Sequence, residues 1–443
     1  MGQSTTEAGE KTASAATSAG AESSATTVDD APFAALDASF SAGGAEAVLA
    51  RLVEELERLN AHRALLDAYL LKARYEIGLP LVQAGPLNEI AEPQRSRYEQ
   101  RYVESIRAVG RRFLDAGDIA AAWPYFRAIA EHEPIAAAIE AFEPVEGDEK
   151  LPKIVEVAFS QGAHPERGFQ LILDNYGVCS AISAYDQLPP DDAIRVRCAE
   201  RLTRVLHRQL SENLRWEIEH RGEPKPDADA SILDLVQSRS WLFDDDAYHV
   251  DASHLAATVR LSPLLRERET IALARDLTEY GRRLSRRHRY EGEPPFEDVY
   301  EDHYAYLSGL LGIDVETSLA RFRSKLSPDP ASSADAGAVR DAGEEGEALW
   351  GEGPSEADRA HDRMLAAQAL VTLLERLGRL EEAIDVAAES FAEVPDAMLR
   401  CPNLAQLCVR AGRLDRLAAA SRSHGDLMNY ATALVERARS TAG

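Results

Sequence analysis

The sequence has few cysteines and no long apolar run. Only four of its 443 residues are cysteine and none forms a Cys-x-x-Cys pair, so a disulfide scaffold is excluded and a reducing, cytoplasmic setting is expected. No stretch approaches the roughly 18 apolar residues of a spanning helix, which argues against a membrane-embedded protein. The first residues lack the basic and apolar regions of a secretory signal, so none is expected.

Basic residues are also scarce. The chain has 49 Lys and Arg against 75 Asp and Glu, a formal net charge of -26. Such a surface repels a phosphate backbone, so a protein that coats nucleic acid is unexpected. Only six of the basic residues are lysine, an Arg-rich bias typical of GC-rich bacterial coding.

Two segments lack the apolar residues that a core requires. Residues 1–30 contain no Leu, Ile, Phe or Tyr, and residues 327–357 carry eight acids and one base. Such composition is typical of disorder, because too little apolar surface is buried to offset the entropy of ordering. We therefore predict a disordered tail (1–32), a folded region (33–326), a disordered acidic linker (327–357) and a C-terminal folded region (358–443).

The folded regions show helical periodicity throughout. Apolar residues recur at steps of three and four over residues 45–77, and again over residues 192–220. Strand-like alternation and Asn-Gly or Asp-Gly hairpin turns are missing. The sequence therefore predicts an all-α protein.

One pattern of small and large residues predicts a helical hairpin. Gly110 and Ala122 are small enough for two helices to approach closely, and Phe126 fills the space beside them. Gly117 begins the predicted turn, and Pro134 is expected to stop the second helix.

The pattern recurs near the C-terminus, with turn glycines at Gly378 and Gly412, 34 residues apart. In spacing and order these segments resemble the tetratricopeptide repeat, whose period is about 34 residues. In this register Cys408 is a packing residue. The resemblance implies a TPR-like α-solenoid of antiparallel helical hairpins, divergent over 33–326 and clearer over 358–443. It also implies a non-enzymatic scaffold or adaptor without a cofactor, which binds a protein or peptide on its concave face.

The resemblance implies ligand-facing positions on the first helix of each hairpin. Carried over by position, they are Arg107, Arg111, Gln368, Thr372, Asn403 and Gln406. Familiar catalytic signatures such as a nucleophile elbow, a P-loop or a His-Glu-x-x-His motif are missing, which also favours a protein that is not an enzyme.

An alternative interpretation is a metal-dependent enzyme or regulator. His249, Asp251 and His254 lie close in sequence, and residues 301–303 add two acids and His303. Imidazoles and carboxylates together are a ligand set for a divalent metal. The competing interpretation, which we favour, is a polar loop in which Asp251 or Ser253 caps the next helix.

Residues 282–289 form a basic cluster of five arginines and one histidine. If they lie on one helix, Arg282 and Arg286 form one column and Arg283 and Arg287 another, which would suit a phosphate or an acidic peptide. Charge runs more often form a solvated face, so we expect these arginines to pair with the acids that follow at 291–298.

Overall fold

The computed structural model describes residues 30–82, 85–227, 229–327, 355–392 and 394–442. Within these ranges the chain is helical and contains no β-strand, only an isolated bridge between Glu291 and Asp298. The predicted all-α class is confirmed. Residues 1–29 of the predicted tail and 328–354 of the predicted linker lie outside the described residues. No helix in the described ranges is long and apolar enough to cross a membrane.

The chain divides into two compact units, residues 1–135 and residues 136–443. In the first unit, each helix packs against the next one in the chain. The helices are α1 (Ala31–Arg58), α2 (His62–Ile77), α3 (Gln94–Asp115) and α4 (Ile119–Ala128). Their core includes Leu65, Val109 and Phe126, all fully buried. The first helix begins at Ala31, two residues before the predicted boundary of the folded region.

The pair of helices α3 and α4 has the predicted turn. Gly117 adopts a left-handed φ of 71°, and the Asp118 carboxylate caps α4 by accepting from the Ala121 N–H at 3.0 Å. A Cβ at Gly110 would lie 2.9 Å from the Phe126 ring, so the close approach of the two helices is confirmed. The predicted role of Pro134 is wrong. Helix α4 ends at Ala128, and Pro134 opens α5 (Glu133–Glu140), where a missing N–H costs no helical hydrogen bond.

The first part of the second unit forms one large apolar core. Its helices are α6 (Leu151–Val155), α7 (Pro165–Tyr185), α8 (Asp192–His220), α9 (Ile232–Val236), α10 (Ala252–Arg260), α11 (Arg268–Arg283) and α12 (Val299–Leu310). Helix α13 (Val315–Ser324) follows, and its buried Leu319 and Phe322 belong to the second core, that of the C-terminal part. The long helix predicted over 192–220 is confirmed, because α8 has these bounds and buries a leucine stripe that includes Leu202, Leu206 and Leu210.

The basic cluster does not lie on one helix. Helix α11 ends at Arg283, and Arg286–His288 form a separate 3-10 turn. The predicted columns of arginines are therefore wrong, since the extended backbone at Leu284 breaks the helical period between them.

The C-terminal part adds a second core. Its helices are α14 (Glu356–Arg376), α15 (Leu380–Ser390), α16 (Leu404–Arg410), α17 (Leu414–His424) and α18 (Leu427–Ala442), and from α13 onward each helix packs against the next. Gly378 and Gly412 have φ of 74° and 69°, the left-handed turn conformation that suits glycine. Cys408 is fully buried, as the repeat register predicts. Ser355 and Asp358 form a capping box that starts α14 two residues before the predicted boundary.

Candidate functional site

Arg107 and Arg111, predicted to face a ligand, differ in their surroundings. The Arg107 guanidinium forms a bidentate pair with Glu131, with Nε to carboxylate oxygens at 2.9 and 3.1 Å. Arg107 lowers the pKa of the Glu131 carboxyl below its usual value. Arg111 is exposed and forms no hydrogen bond or ion pair with any described residue. The two arginines therefore do not present a free pair of cations.

The four C-terminal candidates are mostly engaged in local structure. Gln368 is buried, and its side-chain oxygen accepts from the Arg400 N–H at 2.7 Å. Asn403 and Gln406 form a capping box at the start of α16, in which each side chain accepts from the other's backbone N–H. Thr372 donates to the Gln368 carbonyl and lines a surface groove. Residue type alone does not separate capping residues from ligand-facing residues, because polar side chains serve both roles.

The histidines of the metal hypothesis have separate roles. His249 Nδ1 lies 3.0 Å from the Tyr280 hydroxyl, and His303 Nδ1 lies 2.6 Å from the Val299 carbonyl oxygen. Burial lowers the pKa of His303 to about 4. In the described part of the chain, no group of three or more His, Cys, Asp or Glu side chains is arranged to hold a metal ion.

The loop at 249–254 caps a helix instead. The Asp251 carboxylate accepts from the N–H groups of Ser253 and His254, at 2.8 and 3.3 Å, so the capping interpretation is confirmed. A hydrogen bond from the Ser253 hydroxyl, together with these two N–H groups, lowers the pKa of the Asp251 carboxyl. His254 contributes its backbone to this cap.

Three arginines of the basic cluster at 282–289 pair with acids other than those predicted. Arg282 pairs with Glu279 and Glu301 at 2.8 Å each, and Arg283 pairs with Glu279 at 3.0 Å. Arg287 pairs with Asp246, 41 residues earlier. Glu279 lies one turn away on the same helix, whereas tertiary contacts bring Glu301 to Arg282 and Asp246 to Arg287.

The fold of the second unit brings together a different group of basic residues. A surface groove of about 700 Å³ lies where the α10–α11 connection, α14 and the segment that leads into α16 meet. Its lining residues are Arg266, Arg268, Ile271, Leu310, Thr372, Glu375, Arg376, Arg400, Pro402 and Arg410. We call it the arginine groove. Five of the ten residues are arginine and one is acidic, a net of four positive charges in a chain whose own charge is -26.

Backbone carbonyl groups fix the orientation of two groove arginines. Arg376 donates to the Pro263 and Leu265 carbonyl oxygens at 3.2 and 2.8 Å. Arg268 donates to the Leu311 carbonyl at 2.8 Å. These bonds satisfy guanidinium N–H donors, but a carbonyl oxygen has no formal charge, so both arginines keep their positive charge. Burial lowers the pKa of Arg376, and the neighbouring Arg266 charge lowers it further.

Two buried polar side chains hold the loops that carry the other arginines. The buried Glu200 carboxylate accepts from the N–H groups of Arg266 and Glu267, at 3.0 and 2.9 Å. Gln368 does the same for the N–H of Arg400. Glu200 and Gln368 therefore position Arg266 and Arg400 through the backbone, a role that no local sequence motif signals.

The groove's only acidic side chain compensates one arginine. Glu375 pairs with Arg410 at 2.6 Å. The guanidinium groups of Arg266 and Arg400 have no hydrogen-bond or ion-pair partner among the residues that the structure describes. A guanidinium group without a partner can donate two parallel N–H groups to two oxygens of a carboxylate or a phosphate. The groove is therefore suited to bind an anion.

A comparison with protein-family models, a search of curated proteins and a search of solved structures each found no match.

Proposed function

We propose that the protein is a non-enzymatic interaction protein of the tetratricopeptide-repeat type. The helix pairs α3–α4, α14–α15 and α16–α17 support the proposal, because their turn glycines are left-handed and the last two turns are 34 residues apart. In such an array stacked pairs bury a continuous core and present a surface to a partner, and the proposed arrangement is a solenoid. The proposed setting is the cytoplasm, where the thiols stay reduced.

The arginine groove is the observation that carries the proposal. It is open to solvent and exposes Arg266 and Arg400, whose guanidinium groups have no hydrogen-bond or ion-pair partner in the described part of the chain. Partnerless like charges held near one another are destabilising for the free protein, and an oppositely charged partner relieves this repulsion. The proposed partner is therefore a protein that contacts the groove.

Affinity capture with the full-length chain from native lysate tests the proposal. A charge-reversed groove variant, Arg266→Glu with Arg400→Glu, is compared with a control, Arg63→Glu with Arg208→Glu. In the described ranges the control arginines are exposed on helices and also lack a hydrogen-bond or ion-pair partner. Both variants change net charge equally. We expect a protein captured by the wild type and the control to be lost from the groove variant. Capture of nothing above the tag alone would refute the proposal.

A further inference from the structure

The arginine groove is positively charged, whereas the chain as a whole carries a negative net charge. Among the described residues, five arginines and one acid line the groove, a net of four positive charges in a chain with 26 more acids than bases. Arg266 and Arg400 are exposed, and no described side chain neutralises them. The groove therefore attracts anions locally, while the chain as a whole repels extended polyanions.

The groove is also preorganised. Arg376 and Arg268 are held by carbonyl groups, and buried Glu200 and Gln368 hold the loops that carry the partnerless arginines. A ligand that binds here orders few additional groups, so less of its binding energy is lost to entropy.

The shape of the groove favours a chain of carboxylates over a single small anion. Its volume of about 700 Å³ is within the range of pockets that hold several side chains. Apolar surface from Ile271, Leu310 and Pro402 lies beside the arginines, and the Thr372 hydroxyl also lines the groove. A peptide backbone and its methylene groups can cover that apolar surface while its carboxylates meet the guanidinium groups.

We propose that the arginine groove binds an extended, carboxylate-rich segment of a partner protein. Arg266 and Arg400 each bind one carboxylate as a bidentate fork. Arg410 exchanges its pair with Glu375 for a third carboxylate of the ligand. This assignment rests on the proposed function and adds to it the chemistry of the partner.

Fluorescence anisotropy with the full-length protein and a labelled oligoglutamate peptide tests the assignment. Neutralising either partnerless arginine, by Arg266→Gln or Arg400→Gln, is expected to weaken binding roughly tenfold, the effect of losing one hydrogen-bonded charge pair. The Arg63→Glu, Arg208→Glu control should keep the wild-type affinity. Binding should weaken as salt rises to about 0.15 M, where the screening length is about 8 Å.

A gain-of-affinity variant separates the assignment from misfolding. Glu375→Gln removes the groove's one acid and releases Arg410, so it should bind oligoglutamate more tightly than the wild type. A damaged fold would not produce tighter binding. Equal affinity of the wild type and Glu375→Gln would overturn the proposed exchange of Arg410.

Three other probes identify the ligand chemistry. Oligoglutamine of equal length should not bind, and binding by it would overturn a role for carboxylates. A phosphoserine peptide or a single-stranded oligonucleotide that binds when oligoglutamate does not would also overturn the assignment. If no peptide binds but groove-dependent capture from lysate persists, the ligand class is wrong and the proposed function stands. If capture also fails, both are wrong.

Discussion

Replacing Asp302 by Asn should destabilise the second unit more than any exposed acid-to-amide change nearby. Asp302 lies in the first turn of α12 and is 1% exposed. Its carboxylate accepts from Arg321 Nε at 2.5 Å, from Lys325 Nζ at 3.0 Å and from the Asp298 N–H at 3.0 Å. The asparagine amide retains the shape and removes the charge that both cations face.

The expected magnitude follows from the surroundings of the two cations. Removing one partner of a fully buried ion pair costs roughly 3–5 kcal/mol, because the remaining charge is left unpaired. Here the Arg321 side chain is 39% exposed and regains hydration, and Lys325 retains Glu297 as a second partner. We therefore expect Asp302→Asn to lower the free energy of unfolding by about 2–4 kcal/mol.

The control is Glu316→Gln on the neighbouring helix α13. Glu316 pairs with Arg379, but its side chain is 73% exposed, so its loss should cost less than about 1 kcal/mol. Urea unfolding followed by circular dichroism measures both variants, and the slope of free energy against urea should remain that of the wild type. Equal stabilities of the two variants would refute the argument that burial determines the cost.

Three further predictions concern other parts of the structure. Because burial lowers the pKa of His303 from 6.5 to about 4, the unfolded chain binds the proton more strongly. Stability should therefore be lost as pH falls from 6.5 towards 4, and His303→Phe should flatten that part of a melting-temperature profile; an unchanged slope would contradict this role. In native protein, iodoacetamide should label the exposed Cys179 first, since burial raises the pKa of the other thiols, to about 12 for Cys198 and Cys401 and about 11 for Cys408. Mass spectrometry showing equally fast labelling of Cys408 would disprove this order. Gly412→Ala should destabilise by about 1–2 kcal/mol in thermal melts because alanine resists a φ of 69°, with Gly412→Asn milder; a neutral alanine variant would refute the strain argument.

Local sequence patterns predicted the helices because helix formation depends on periodic burial and on residues close in the chain. The periodicity over 192–220 matched the bounds of α8, and the predicted turns at Gly117, Gly378 and Gly412 all have left-handed backbone. Local patterns predicted the ends of helices less reliably than their interiors. A proline such as Pro134 marks a break in the helical pattern, but it can either end one helix or begin the next, as it does in α5.

The candidate sites differ in how far the sequence could predict them. The capping role of Asp251 was among the predictions because capping is a local contact. The burial of Gln368 and the pairing of Arg282 with Glu301 were not, since each depends on an element distant in sequence. Residue type shows that a side chain is polar, and only packing shows which neighbour satisfies it.

By itself the sequence determined the all-α class, the main helices and the spacing of the C-terminal turns, all of which follow from short-range periodicity and backbone preference. Only the tertiary structure decided where charge accumulates. The arginines of the groove come from two parts of the sequence more than 100 residues apart, Arg266 and Arg268 in the first and Arg376, Arg400 and Arg410 in the second. Coulomb interactions depend on distance in space, so a basic groove in an acidic chain exists only after folding.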